Sequence, residues 1–77
     1  MNSDLPPWSS QAQLMQPGMY RHYKGDVYEI LGIARHSETL EELVVYKHDG
    51  NFWVRPIAMF FQEVEFEGKN VLRFVRL

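Results

Sequence analysis

The sequence contains no cysteine, which excludes disulfides and thiolate–zinc sites. It also lacks the roughly 18 consecutive apolar residues of a membrane span and the roughly 7–15-residue apolar core of a secretion signal. A cytoplasmic protein without a membrane partner is the expectation. Nor is there an excess of positive charge: eight Lys plus Arg against ten Asp plus Glu give a net charge of −2. That is the wrong sign for a protein living on phosphate backbones, so charge disfavours nucleic acid as a partner. The three histidines, His22, His36 and His48, show no ligand spacing such as H-x-x-x-H. No metal and no cofactor are expected.

What the chain does have is aromatic side chains: two Trp, four Tyr and five Phe in 77 residues. Each can bury about 150–250 Å2, which is how one small domain assembles a core. Residues 1–16 lack periodicity and carry Pro6-Pro7, which favours extended backbone over a helix start. They read as a flexible N-terminal arm, with Trp8 the one residue that gains much from docking. Residues 17–77 read as a single domain.

After Pro17-Gly18 every run is strand-like. "MYRHY" (19–23) leads through Lys24-Gly25-Asp26 into "VYEILGIARH" (27–36). The apolar parity of that long strand is mixed, and Gly32 offers a bulge or bend as the remedy. Asp49-Gly50 predicts a two-residue type I′ hairpin that pairs His48 with Asn51, Tyr46 with Trp53 and Val44 with Arg55. Pro56 ends that strand, and "IAMFF" (57–61) reads as a helical turn plugging the core. "EVEFE" (63–67) and "VLRFV" (71–75) form a last hairpin. A Gly68-Lys69-Asn70 loop there pairs Phe66 with Leu72, Val64 with Phe74 and Glu65 with Arg73. The sum is an all-β, SH3-like, half-open barrel of five to six short strands with one short helical turn.

Three constellations bear on function. Arg35-His36-Ser37-Glu38-Thr39 has the residue types of a hydrolase or transferase. Strand alternation, however, points His36 and Ser37 to opposite faces, and no nucleophile elbow is present. A polar turn, with Thr39 and Glu42 at capping-box spacing, explains the same residues. No catalytic residue is assigned. Arg21, His22, Arg35, His36 and Arg55 can rim a site for a carboxylate or another anion, because guanidinium forks bind such groups bidentately. The competing reading pairs Arg21, Arg35 and Arg55 with Glu29, Glu38 or Glu63 on the surface. Tyr46 and Trp53 beside Arg55 form an aromatic face of the kind that grips a peptide or an unstacked base. Burial under residues 57–61 or the N-terminal arm competes with that.

The blocks "YRHYKG" (20–25), "ARHSET" (34–39), "VVY" (44–46) and "WVRP" with "MF" (53–60) resemble a small bacterial family of domains of unknown function. The resemblance spans roughly residues 17–77, with "EFEGKNVLRF" fitting the closing hairpin. It implies no catalytic roles. It does imply a shared surface function at the polar signature residues, Ser37 and Glu38 among them. The expected function is therefore a non-enzymatic binding or adaptor module for a protein, a peptide or a small anionic ligand, of unknown oligomeric state. A single-stranded nucleic-acid-binding barrel is the alternative, followed by a hydrolase or transferase using His36, Ser37 and Glu38.

Overall fold

Pro17-Gly18 marks where the sheet begins, and the order of elements follows the punctuation of the sequence. The computed structural model describes residues 5–77. Along them run α1 (Ser10–Leu14), β1 (Gly18–His22), β2 (Val27–Arg35), β3 (Glu42–His48), β4 (Asn51–Pro56), α2 (Ile57–Phe60), β5 (Glu63–Phe66), β6 (Lys69–Leu72) and β7 (Phe74–Arg76). One antiparallel sheet has the order β4-β3-β2-β1-β7, and β5-β6 form a second. The fold is all-β, and the two sheets do not close into a barrel. None of the helices among the described residues is long and apolar enough to cross a membrane.

Asp49 and Gly50 take φ of +52° and +76°, the backbone a type I′ turn requires. The β3–β4 pairs run from His48↔Asn51 through Tyr46↔Trp53 to Leu43↔Pro56, as the sequence predicts. Between Ile30 and Gly32 the β2–β3 register shifts by one residue, which leaves Leu31 bulged. Ile30 then lies opposite Tyr46 and Ile33 opposite Val44, so two isoleucines three positions apart face the same core. Gly32 has a φ of +158° and open space where a Cβ would stand. Gly32→Ala should therefore cost about 1–3 kcal/mol through backbone conformation alone. A lower urea midpoint with an unchanged m-value checks this.

The closing hairpin differs from expectation. Its turn is Glu67-Gly68, at φ +54° and +77°, so Phe66 pairs with Lys69, Val64 with Val71 and Glu63 with Leu72. Arg73 does not meet Glu65. Instead its N–H donates to the Gln62 carbonyl, and its own carbonyl accepts from the Tyr23 N–H. Those two bonds carry the chain from one sheet to the other. Phe74 is thereby released to pair with His22, which makes the seventh strand.

The core lies on the inner face of the large sheet. Tyr20, Ile30, Val44, Tyr46 and Phe74 are covered by Ile57 and Phe60 of α2 and by Ala12 of α1. Phe60 stacks on Phe74 at 4.4 Å and meets Tyr20 edge-on at 5.3 Å. The helical turn at 57–60 therefore plugs the core as expected. Of the segment expected as a flexible arm, residues 1–4 lie outside the described residues; residues 5–16 dock on this face. Ser9 caps α1 by accepting the Ala12 N–H, and its own N–H and hydroxyl donate to the Glu42 carboxylate. Glu42 thus does from β3 what the third helical residue does in a capping box.

Candidate functional site

Beyond the cover of α2, the inner face continues as an aromatic platform. Alternation on β1, β2 and β3 places His22, Tyr28, Tyr46 and His48 on the side of Phe74. His22 meets Phe74 at 5.0 Å and Tyr28 at 6.1 Å. Tyr28 contacts Tyr46 and Phe74 at 5.5 Å each and His48 at 4.1 Å. Tyr46 and Phe74 are buried, while Tyr28, His22 and His48 are half-buried. Trp53, at the sheet edge, donates its indole N–H to the His48 carbonyl.

One cation lies over this platform. The Arg55 guanidinium lies 5.3 Å from the Phe74 ring centre and 5.9 Å from that of Tyr46. The one contact of ion-pair length among the described residues is His48 Nε2 to Asp49 at 3.4 Å, so neither Arg55, Arg21 nor Arg35 sits within ion-pair distance of a carboxylate there. The surface pairing weighed from the sequence does not form. Arg73 donates to Gln62 Oε1 at 3.0 Å, but its Nε is buried without a partner. Partial burial, then Arg55, Arg73 and Lys24, push the His22 imidazole below its usual 6.5. His22 Nδ1 accepts the Lys24 N–H, which leaves the neutral ring's proton on Nε2. Burial, and then Asp26, push the Tyr28 hydroxyl upward. Such a surface can hold an anion; no nucleophile–base pair is assembled on it.

The other candidates go elsewhere. Arg35 stacks on the Trp8 ring at 4.1 Å and donates to the Pro6 carbonyl. It fastens the N-terminal segment and does not join Arg55. Trp8 therefore docks, though on Arg35 rather than over Trp53. His36 Nδ1 accepts the N–H groups of Glu38 at 3.1 Å and Thr39 at 3.3 Å, so its imidazole serves the turn on which Ser37 and Glu38 stand exposed. Thr39 starts no helix; its hydroxyl accepts the Glu41 N–H. Arg21 pairs with Val27 and Val75 on the outer face. There it borders an open groove of about 320 Å3 walled by Phe66, Val71, Leu72, Val75 and Leu77.

Of the predicted residues, the fold brings together His22, Tyr46, Trp53 and Arg55. Sequence reasoning missed Tyr28, His48, Phe74 and Arg73. The shared parity of Tyr28, Tyr46 and His48 with Arg55 was the available signal for the first two.

The family model described as "Protein of unknown function (DUF1653)" matches residues 18–76. The chain belongs to the DUF1653 family. The crystal structure of a DUF1653 protein from Bordetella bronchiseptica matches with a TM-score of 0.77 and 37% identity, covering 86% of this chain and 91% of that one. No curated protein matches. The DUF1653 match begins at Gly18, where β1 begins. It includes every strand and the whole cationic platform, and it leaves out α1 and Trp8.

Proposed function

We propose that this DUF1653 domain is a non-enzymatic binding module that holds a carboxylate-bearing ligand, a small organic acid or an acidic peptide, over the inner platform. One observation carries the reading: Arg55 lies on the Tyr46 and Phe74 rings beside His22 with no carboxylate partner among the described residues. A half-buried guanidinium without a carboxylate partner among the described residues is matched by an incoming anion. Trp53, 49% exposed, offers a flanking ring.

The test is a heteronuclear NMR titration with citrate and with an acidic peptide. Shifts should concentrate on the Arg55 side chain, His22 and the Trp53 indole. Arg55→Ala should weaken binding by about 1.5–3 kcal/mol, the usual worth of a charged hydrogen bond. Equal shifts in the variant overturn the assignment. A bound anion favours the charged imidazole, which burial and Arg55 disfavour in the free domain, so binding of the acidic peptide should tighten as the pH falls below 6.5. A flat pH profile removes His22 from the site. Single-stranded nucleic acid is the weaker reading, because the net charge is −2 and Trp53 is the only ring of this platform with much exposed face.

A further inference from the structure

Arg35 and Glu42 stand opposite each other across β2 and β3, yet no contact of ion-pair length joins them. Opposite charges at facing positions of an antiparallel pair ordinarily engage each other. Here both turn to residues 5–16 instead. Arg35 stacks on Trp8 and donates to the Pro6 carbonyl. Glu42 accepts the Ser9 N–H at 2.7 Å and the Ser9 hydroxyl. Next to them Ala12, 3% exposed, enters the core cluster of Ile57 and Phe60, and Met15 packs against it. The Tyr20 hydroxyl closes the contact by donating to the Gln16 carbonyl at 2.7 Å.

These are the contacts a domain makes with a peptide. The bonds to Pro6, to the Ser9 N–H and to Gln16 reach main-chain groups that any sequence carries. The selective contacts are few: a ring on the Arg35 guanidinium, a hydroxyl on Glu42, and a small apolar side chain three residues after the hydroxyl. Gln11, Gln13 and Leu14 of the same segment are exposed and go unread. α1 has five residues, too few to hold a helix in water without a surface to lie on. The segment therefore folds as it docks, as a binding peptide does. The family match includes the whole receiving face, Tyr20, Arg35, Glu42, Ile57 and Phe60, and begins after the segment that fills it.

We infer that this face is a peptide-docking site and that residues 5–16 are its tethered occupant, displaced by a segment of a partner protein with the same chemistry. That segment carries an aromatic residue, a Ser or Thr directly after it and an Ala three residues beyond, in a chain that turns helical on contact. The site uses neither Arg55, His22 nor Trp53, so it stands independently of the anion platform. The tether gives the chain's own segment an effective concentration on the order of millimolar. A free peptide therefore competes poorly until the tethered copy is weakened.

The test adds the synthetic peptide LPPWSSQAQLMQ, the sequence of residues 5–16, to the full chain and follows amide shifts by NMR. The receiving chain carries Trp8→Ala with Ser9→Ala, which weakens the tethered copy at exposed positions and leaves the receiving face intact. Ala12→Glu, which drives a charge into the buried end of the segment, is the second form. Saturable shifts should appear at Arg35, Glu42, Ile57 and Phe60, with an affinity about tenfold or more above that of the wild-type chain. Adding Glu42→Ala to the receiving chain, or Ser9→Ala to the peptide, should each weaken binding severalfold. No saturable shifts in either variant at about 1 mM peptide, the concentration the tether supplies, overturns the inference. So does equal affinity for wild type and variants, or an affinity indifferent to Glu42→Ala and Ser9→Ala. Shifts confined to Arg55, His22 and Trp53 would put the peptide on the anion platform and overturn it as well.

Discussion

Replacing Phe74 by alanine should cost about 3–5 kcal/mol, the range for deleting a buried phenylalanine ring. The ring is 5% exposed and stacks on Phe60 at 4.4 Å and 5°. Its other side meets His22, Tyr28 and the Arg55 guanidinium. Few elements are available to collapse into the void. α2 is a single turn, and β7 is a three-residue edge strand. Domains of this size hold only about 5–15 kcal/mol in all, so Phe74→Ala should lose a large share of its urea midpoint. A shift worth less than about 1 kcal/mol would show that the stack contributes little.

Phe74→Leu separates packing from function. It refills most of the volume and should cost roughly 1–1.5 kcal/mol, leaving a folded domain at 25 °C. It also removes the π-face under Arg55. Citrate binding should then weaken in a protein whose sheet amides still resonate at their wild-type positions. Phe74 thus belongs to two structures at once, the core under α2 and the platform under Arg55.

How much of this was legible beforehand follows from which forces were local. Asp49-Gly50 revealed the β3–β4 register because turn backbone and strand alternation agree there. The mixed parity around Gly32 revealed the bulge, since no flat strand buries both Ile30 and Ile33. The closing hairpin was misread because Glu67 occupies a positive-φ position that side chains other than Gly, Asn and Asp rarely take. A three-residue loop satisfied the same alternation on paper. Phe74 was lost with it, since its strand exists only because Arg73 breaks away from β6. The Tyr46, Trp53 and Arg55 part of the platform was legible from the β3–β4 register, whereas the Phe74 ring under Arg55 is a tertiary contact with no sequence spacing. The docking of residues 5–16 rests on Ser9–Glu42 and Pro6–Arg35 bonds, whose partners lie 33 and 29 residues apart. No local periodicity encodes such contacts.

That docking should be the most acid-sensitive feature of the molecule. The Ser9 hydroxyl first, then the Ser9 N–H, hold the Glu42 carboxyl below its usual 4.5, with a smaller contribution from Arg35. A carboxylate whose pKa is depressed by folding stabilises the folded form above its unfolded pKa and loses that effect as pH falls through the folded one. Acidification below 4.5 should therefore release α1 while the sheet persists. Ala12 leaves the core, and Trp8 leaves the Arg35 guanidinium. Glu42→Ala should produce the same release at pH 7, raising severalfold the rate of proteolysis at residues 5–17 and of exchange at the Ala12 amide. In a Trp53→Phe background, Trp8 fluorescence should titrate with acid in the parent and stay flat once Glu42 is gone. An acid transition that survives in Glu42→Ala would place the responsible proton elsewhere. The family match leaves out α1, and the β1–β7 sheet does not use it as a strand. Releasing it should therefore move the urea midpoint less than Phe74→Ala does, which makes residues 5–16 a detachable cover on a sheet that folds beneath them.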